Sequence, residues 1–193
     1  MRPSLALALS SSLSLFACGG EEPTSIPAPS PSPSPSAEPT CARGTIEPDY
    51  APIGPLAGPG VDPATGTLRP PPSGTSYVVS STYLALRPEG PAQQTFGALM
   101  GPIGDALRTQ EGLVAFELGS SASCGTARTL TVWVSEEAMY GFVASPAHTA
   151  AVAQVGQVSR GGSVVTHWDA DTVDAAGWAE AQRRLAAFMG RQY

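Results

Sequence analysis

The chain has 193 residues, the size of one domain. Fifteen of its 20 prolines fall between Pro23 and Pro72, which confines packed core to about residue 74 onward and excludes a two-domain enzyme. The formal net charge is −6, and all ten basic residues are arginine; this excludes both the basic footprint of a nucleic-acid binder and the lysine that Schiff-base chemistry or a P-loop requires.

Residues 1–17 read as a leader: Arg2 precedes a short, Ser-interrupted apolar run that is too short to span a bilayer as a permanent helix. The run ends in Leu15-Phe16-Ala17-Cys18-Gly19. This resembles a bacterial lipobox, and the resemblance implies lipidation of Cys18 and a stable membrane anchor. It places the rest of the chain in the cell envelope outside the cytoplasm, at the outer membrane where the organism has one. Residues 18–40 are a Ser/Pro-rich tether; alternating proline favours polyproline II, a spacer of roughly 50–60 Å. Residues 41–73 form an irregular Pro/Gly-rich arm with scattered apolar side chains (Ile46, Tyr50, Ile53, Leu56, Val61, Leu68) and no strand or helix period. With Cys18 lipidated, Cys41 and Cys124 remain, 83 positions apart. In an oxidising compartment they are expected to pair, worth about 4 kcal/mol in the chain-entropy view. Cysteine spacing gives no zinc motif.

The domain, residues 74–193, reads as alternating elements. A strand over 77–86 is rich in β-branched and aromatic residues. Phe96, Leu99, Ile103 and Leu107 make a helical stripe that Pro102 should kink or split. Strands follow at 113–118 and 128–134, the second with Leu130, Val132 and Val134 opposite Thr129, Thr131 and Trp133. Ser135 is a predicted N-cap with Glu136 and Glu137 in the first turn, and Ser145-Pro146 starts a second helix. A fourth strand covers 163–168. Trp178, Ala181, Leu185 and Phe188 form the apolar side of a C-terminal helix, with Arg183 and Arg184 toward solvent. This order predicts an α+β, ferredoxin-like β-α-β-β-α-β sheet with helices on one face plus a C-terminal helix. The second sheet face is too apolar to stay wet; a second copy placed sheet to sheet, or the arm folded beneath, would cover it.

The stretch from Arg128 to His148, RTLTVWVSEEAMYGFVASPAH, resembles the central part of the dimeric α/β-barrel superfamily, which includes antibiotic-biosynthesis and haem-degrading monooxygenases. Val165-Thr166-His167-Trp168 and the segment that begins at Trp178 are similar to the ending of some members. The resemblance implies a homodimer and no single reaction, since fold does not fix function. Haem-degrading members use a strand Asn, a strand Trp and a helical His on iron; this chain has Trp133 and His148 but no asparagine.

His148 and His167 are the candidate catalytic residues, as proton shuttle or ligand, each with the alternative of a structural histidine. Trp133 reads as core or as the wall of a pocket shared with Tyr83. Asp169, Asp171 and Asp174 read as turn and capping residues rather than a metal site, and Ser145 with His148 lacks the partners of a triad. Two functions stand. One is a membrane-anchored, non-catalytic module for binding or assembly. The other is a cofactor-independent or haem-dependent monooxygenase-like enzyme acting on a small apolar or aromatic molecule. The sequence specifies no cofactor. The anchoring expectation is tested by Cys18→Ser, which should release the protein from membranes or leave it unprocessed; normal cleavage with unchanged membrane retention refutes it.

Overall fold

All four predicted strands form, and a fifth joins them from the arm. The computed structural model describes residues 41, 46–161 and 163–187, which belong to one compact unit, Ala37–Tyr193. The leader, Cys18 and the tether lie outside the described residues, as does Phe188. The strands are β1 (Ala51–Pro52), β2 (Tyr77–Ala85), β3 (Leu113–Ser121), β4 (Thr126–Trp133) and β5 (Val164–Ala170). They make one sheet in the order β1-β3-β4-β2-β5, with every neighbouring pair antiparallel.

The helices are α1 (Gly90–Thr109), α2 (Glu136–Val143), α3 (Pro146–Ala153), the single turn α4 (Val155–Val158) and α5 (Trp178–Ala186). Ser135 and Ser145 cap α2 and α3 by accepting from the backbone N–H of Ala138 and His148, as their side chains are built to do. The expected break at Pro102 does not occur: α1 is one helix of 20 residues with Pro102 inside it. Pro102 and Ala98, whose carbonyl loses its partner, both sit on the exposed side of the helix, where water can meet that carbonyl.

Strand alternation divides the core into two layers. On the helix side, Val78, Leu113, Phe116 and Trp133 pack against Ile103 and Leu107 of α1 and Met139 and Phe142 of α2. On the back, Val79, Ala115, Leu130, Val132 and Trp168 pack against Ala176 and Ala181. Val134, expected in this second row, lies just past the end of β4 and is exposed. Arg184 does not simply face water: its guanidinium sits 5.1 Å over the Trp168 ring and pairs with Glu180.

The back of the sheet is closed within the chain. Leu68 is buried there, with Leu56, Val61 and Trp178 packed against the same cluster. The arm lies over this face, and α5 completes the layer. The contact is close: a Cβ on Gly58, whose φ is +144°, would come within 2.4 Å of the Val114 carbonyl oxygen. Gly119 leaves room for the Tyr50 ring in the same way.

One covalent and two polar connections fix the arm. Cys41 and Cys124 are disulfide-bonded, as expected. Asp49 accepts from Ser121 Oγ, Ser123 Oγ and the Ser123 amide, and these bonds hold its carboxyl at a pKa of about 2. Glu47 takes Arg128 in a two-point contact, Nε to Oε2 at 3.0 Å and Nη2 to Oε1 at 3.1 Å, and Oε1 also accepts from Thr126 Oγ1 at 2.7 Å. Both charged side chains are fully buried. Removing one partner of such a pair strands the other charge. Glu47→Ala should therefore destabilise the fold by about 3–5 kcal/mol, whereas Glu47→Leu combined with Arg128→Met should recover most of the loss. Equilibrium urea unfolding of the two variants checks this.

Candidate functional site

The helix-side layer is not filled. Between the sheet and α1–α3 lies a cavity of about 360 Å³, within the range of small-molecule sites. Its roof is largely apolar, with Phe96, Met100 and Ile103 from α1 and Met139 and Phe142 from α2. Its floor comes from the two central strands. Ser80 and Thr82 of β2 stand opposite Thr131 and Thr129 of β4, so four hydroxyl-bearing residues form a two-by-two patch in an apolar surround.

Trp133 closes one end of the floor. It is fully buried, stacks on Phe142 with ring centroids 5.6 Å apart, and donates its indole N–H to Thr131 Oγ1 at 2.9 Å. Thr131 in turn donates toward the Ser80 carbonyl oxygen at 3.4 Å. Trp133 is thus both core and cavity wall. Tyr83 is not its neighbour in the pocket. In the β2–β4 register Tyr83 pairs with Arg128 and Val78 pairs with Trp133. Alternation therefore puts the Tyr83 ring on the back of the sheet, where it lies under the Arg128 guanidinium at 4.8 Å.

Both candidate histidines border this one cavity. His148, on α3, is edge-on to Phe142 at 5.1 Å, and its Nδ1 is 3.0 Å from the Val143 carbonyl oxygen. A carbonyl can only accept, so the proton is assigned to Nδ1, and the neutral ring keeps Nε2 as an acceptor. His167 is on the outward row of β5 at the open side of the cavity. Its Nε2 lies 3.6 Å from Glu136 Oε1, and its ring meets Tyr140 edge-on at 6.2 Å. Asp169 and Asp171 are exposed, and Asp174 opens a short 3-10 turn; among the described residues no group of three metal-ligating side chains converges.

The hydroxyl floor is only half legible in the sequence. Alternation puts Thr129 and Thr131 on the face of Trp133; that Ser80 and Thr82 join them is set by the β2–β4 register. Ile53, from the arm, also reaches the cavity rim and carries no local signal at all.

Residues 82–154 match the antibiotic biosynthesis monooxygenase family. Over that segment the domain is similar to antibiotic biosynthesis monooxygenases. The match includes Trp133 and His148 and leaves out the arm and His167. Among solved structures, Rv0793 from Mycobacterium tuberculosis is similar at 25% identity, with a TM-score of 0.44, over 48% of this chain and 93% of that one. SO0527 from Shewanella oneidensis is similar at 20% identity, with a TM-score of 0.43, over 49% and 91%. SnoaB, a cofactor-independent oxygenase from Streptomyces nogalater, is similar at 16% identity, with a TM-score of 0.40, over 48% and 90%. No curated protein matches the chain.

Among the described residues, Thr131 Oγ1 is the acceptor of the buried Trp133 indole N–H. Thr131→Val should leave that N–H unsatisfied and cost about 1–3 kcal/mol, while Thr131→Ser should cost far less. Chemical denaturation of both variants measures the difference.

Proposed function

We propose that the chain is an envelope lipoprotein, anchored through Cys18, whose monooxygenase-like domain binds a small, largely apolar molecule between sheet and helices without chemistry of its own. The observation that carries this reading is the cavity of about 360 Å³, largely apolar, with a hydroxyl patch on its floor and His148 and His167 at its border. Such a surface gains free energy by removing apolar groups from water, and Ser80, Thr82 and Thr129 can orient one or two ligand oxygens. If the domain also forms a homodimer, the contact would use a surface other than the back of the sheet, which the arm and α5 already cover.

The competing reading is oxidation of the bound molecule. It is favoured by the open Nε2 of His148, which could accept a proton from an acidic hydroxyl. One experiment addresses both readings. The chain from Gly19 onward, which contains the whole compact unit, is titrated with 1-naphthol and followed by ligand fluorescence. Micromolar binding is expected, weakened about tenfold or more by Thr129→Phe, which fills the cavity floor. Equal binding to that variant, or none to the wild type, removes the cavity reading. Unchanged 1-naphthol after long aerobic incubation supports a binding module; an oxygenated product at substoichiometric protein supports the enzyme.

A further inference from the structure

The cavity is not isolated. A second, larger depression of about 580 Å³ adjoins it, and the two share Ile53 and Phe96 as lining residues. Ile53 is carried by the arm, where its amide donates to the Leu118 carbonyl, and it is well exposed. Phe96 is half-buried on α1. These two side chains stand between an apolar inner chamber and an outer one of different chemistry.

The outer chamber is walled by the loop at 120–126 and by Gln93, Leu86 and Arg160. Among its described lining residues Arg160 is the one charged side chain. Its backbone is fixed by a bond from its amide to the Ala85 carbonyl, and one Nη donates to the Cys124 carbonyl, which orients the guanidinium and leaves further donors. The nearby carboxylate of Asp49 is engaged by Ser121 and Ser123. Arg160 also borders a neighbouring depression that contains Arg87. Arg160 and Arg87 are the cations at this end of the chain, with the ionised, serine-bonded Asp49 as a nearby anion.

We infer that the outer chamber is a head-group site: the ligand is amphipathic, with an apolar body in the inner cavity and an anionic oxygen-bearing head, such as a carboxylate, on Arg160, and Ile53 with Phe96 forms the gate between the two. The inference rests on the cavity reading above and adds the charge and polarity of the ligand. It also gives the arm a role at the site: the arm supplies one side of the gate. The disulfide loop, which holds the arm's start, supplies a wall of the head-group chamber. Neither Ile53 nor Arg160 falls within the family-matched segment.

The test compares 1-naphthylacetate with its methyl ester, by titration and stopped-flow, on the chain from Gly19 onward. The acid should bind the wild type about tenfold tighter than the ester, the gain of a charge-assisted contact. Arg160→Gln should abolish that preference by weakening the acid alone, and Arg160→Lys should restore most of it. Ile53→Trp, at an exposed position that tolerates bulk, should slow association of both. Equal affinity of acid and ester for the wild type, or an equal loss of both in Arg160→Gln, overturns the head-group site while leaving the cavity reading intact. Unchanged association rates in Ile53→Trp overturn the gate. Binding of neither compound to the wild type overturns the cavity reading, and this inference with it.

Discussion

Arg128 is a guanidinium in the middle of a sheet, fully removed from water. A charge in that position is tolerable only if it is paired and hydrogen-bonded, and its carboxylate partner comes from the arm, 81 residues earlier in the chain. That requirement organises much of the rest. Glu47 must lie on the back of β4; the residues around it bring Asp49 to the 120–126 loop and Tyr50 against Trp178, ring edge to ring face at 5.4 Å. Further along, Leu56, Val61 and Leu68 are set over the apolar back of the sheet. The arm is thereby part of the core rather than an appendage to it.

Closing the back of the sheet in this way determines where a ligand can go. The two faces of β2 and β4 carry different inventories: bulky apolar groups and the Arg128–Glu47 pair behind, hydroxyls and Trp133 in front. The back is filled to contact distance, so the free volume is left in front, under α1–α3. The hydroxyl patch is tolerable there because the cavity gives it access to solvent or ligand, whereas sealed beneath a packed helix the same groups would cost stability.

The family-matched segment, residues 82–154, supplies the cavity's floor apart from Ser80 and most of its roof, together with Trp133 and His148. The parts outside it, the arm, β5 and the turn at Arg160, supply the rim. The arm and the turn at Arg160 lie outside that segment and flank the openings of the chamber.

Much of the fold was legible in the sequence because its signals are local. Period-two alternation in β2 and β4, the serine caps of α2 and α3 and the apolar stripe of α1 are each set within a few residues. The pairing of Cys41 with Cys124 followed from counting. The chain has two histidines, one in the middle of a strand and one just after a helix start, and both border the cavity. Alternation could state that Trp133 and Leu130 lie on opposite faces but not which face meets the helices; that depends on how two surfaces of comparable bulk are shared between roof and arm. It also could not assign Tyr83, whose side relative to Trp133 is set by the β2–β4 register. Nor could it announce the Glu47–Arg128 pair or the position of Ile53, because a segment without period carries no record of the surface it will meet. The sequence by itself determined the elements, their caps and their alternation, which short-range sterics and hydrogen bonding specify. Only the tertiary structure decided which face stayed open, because that choice is made by contacts between segments some eighty residues apart.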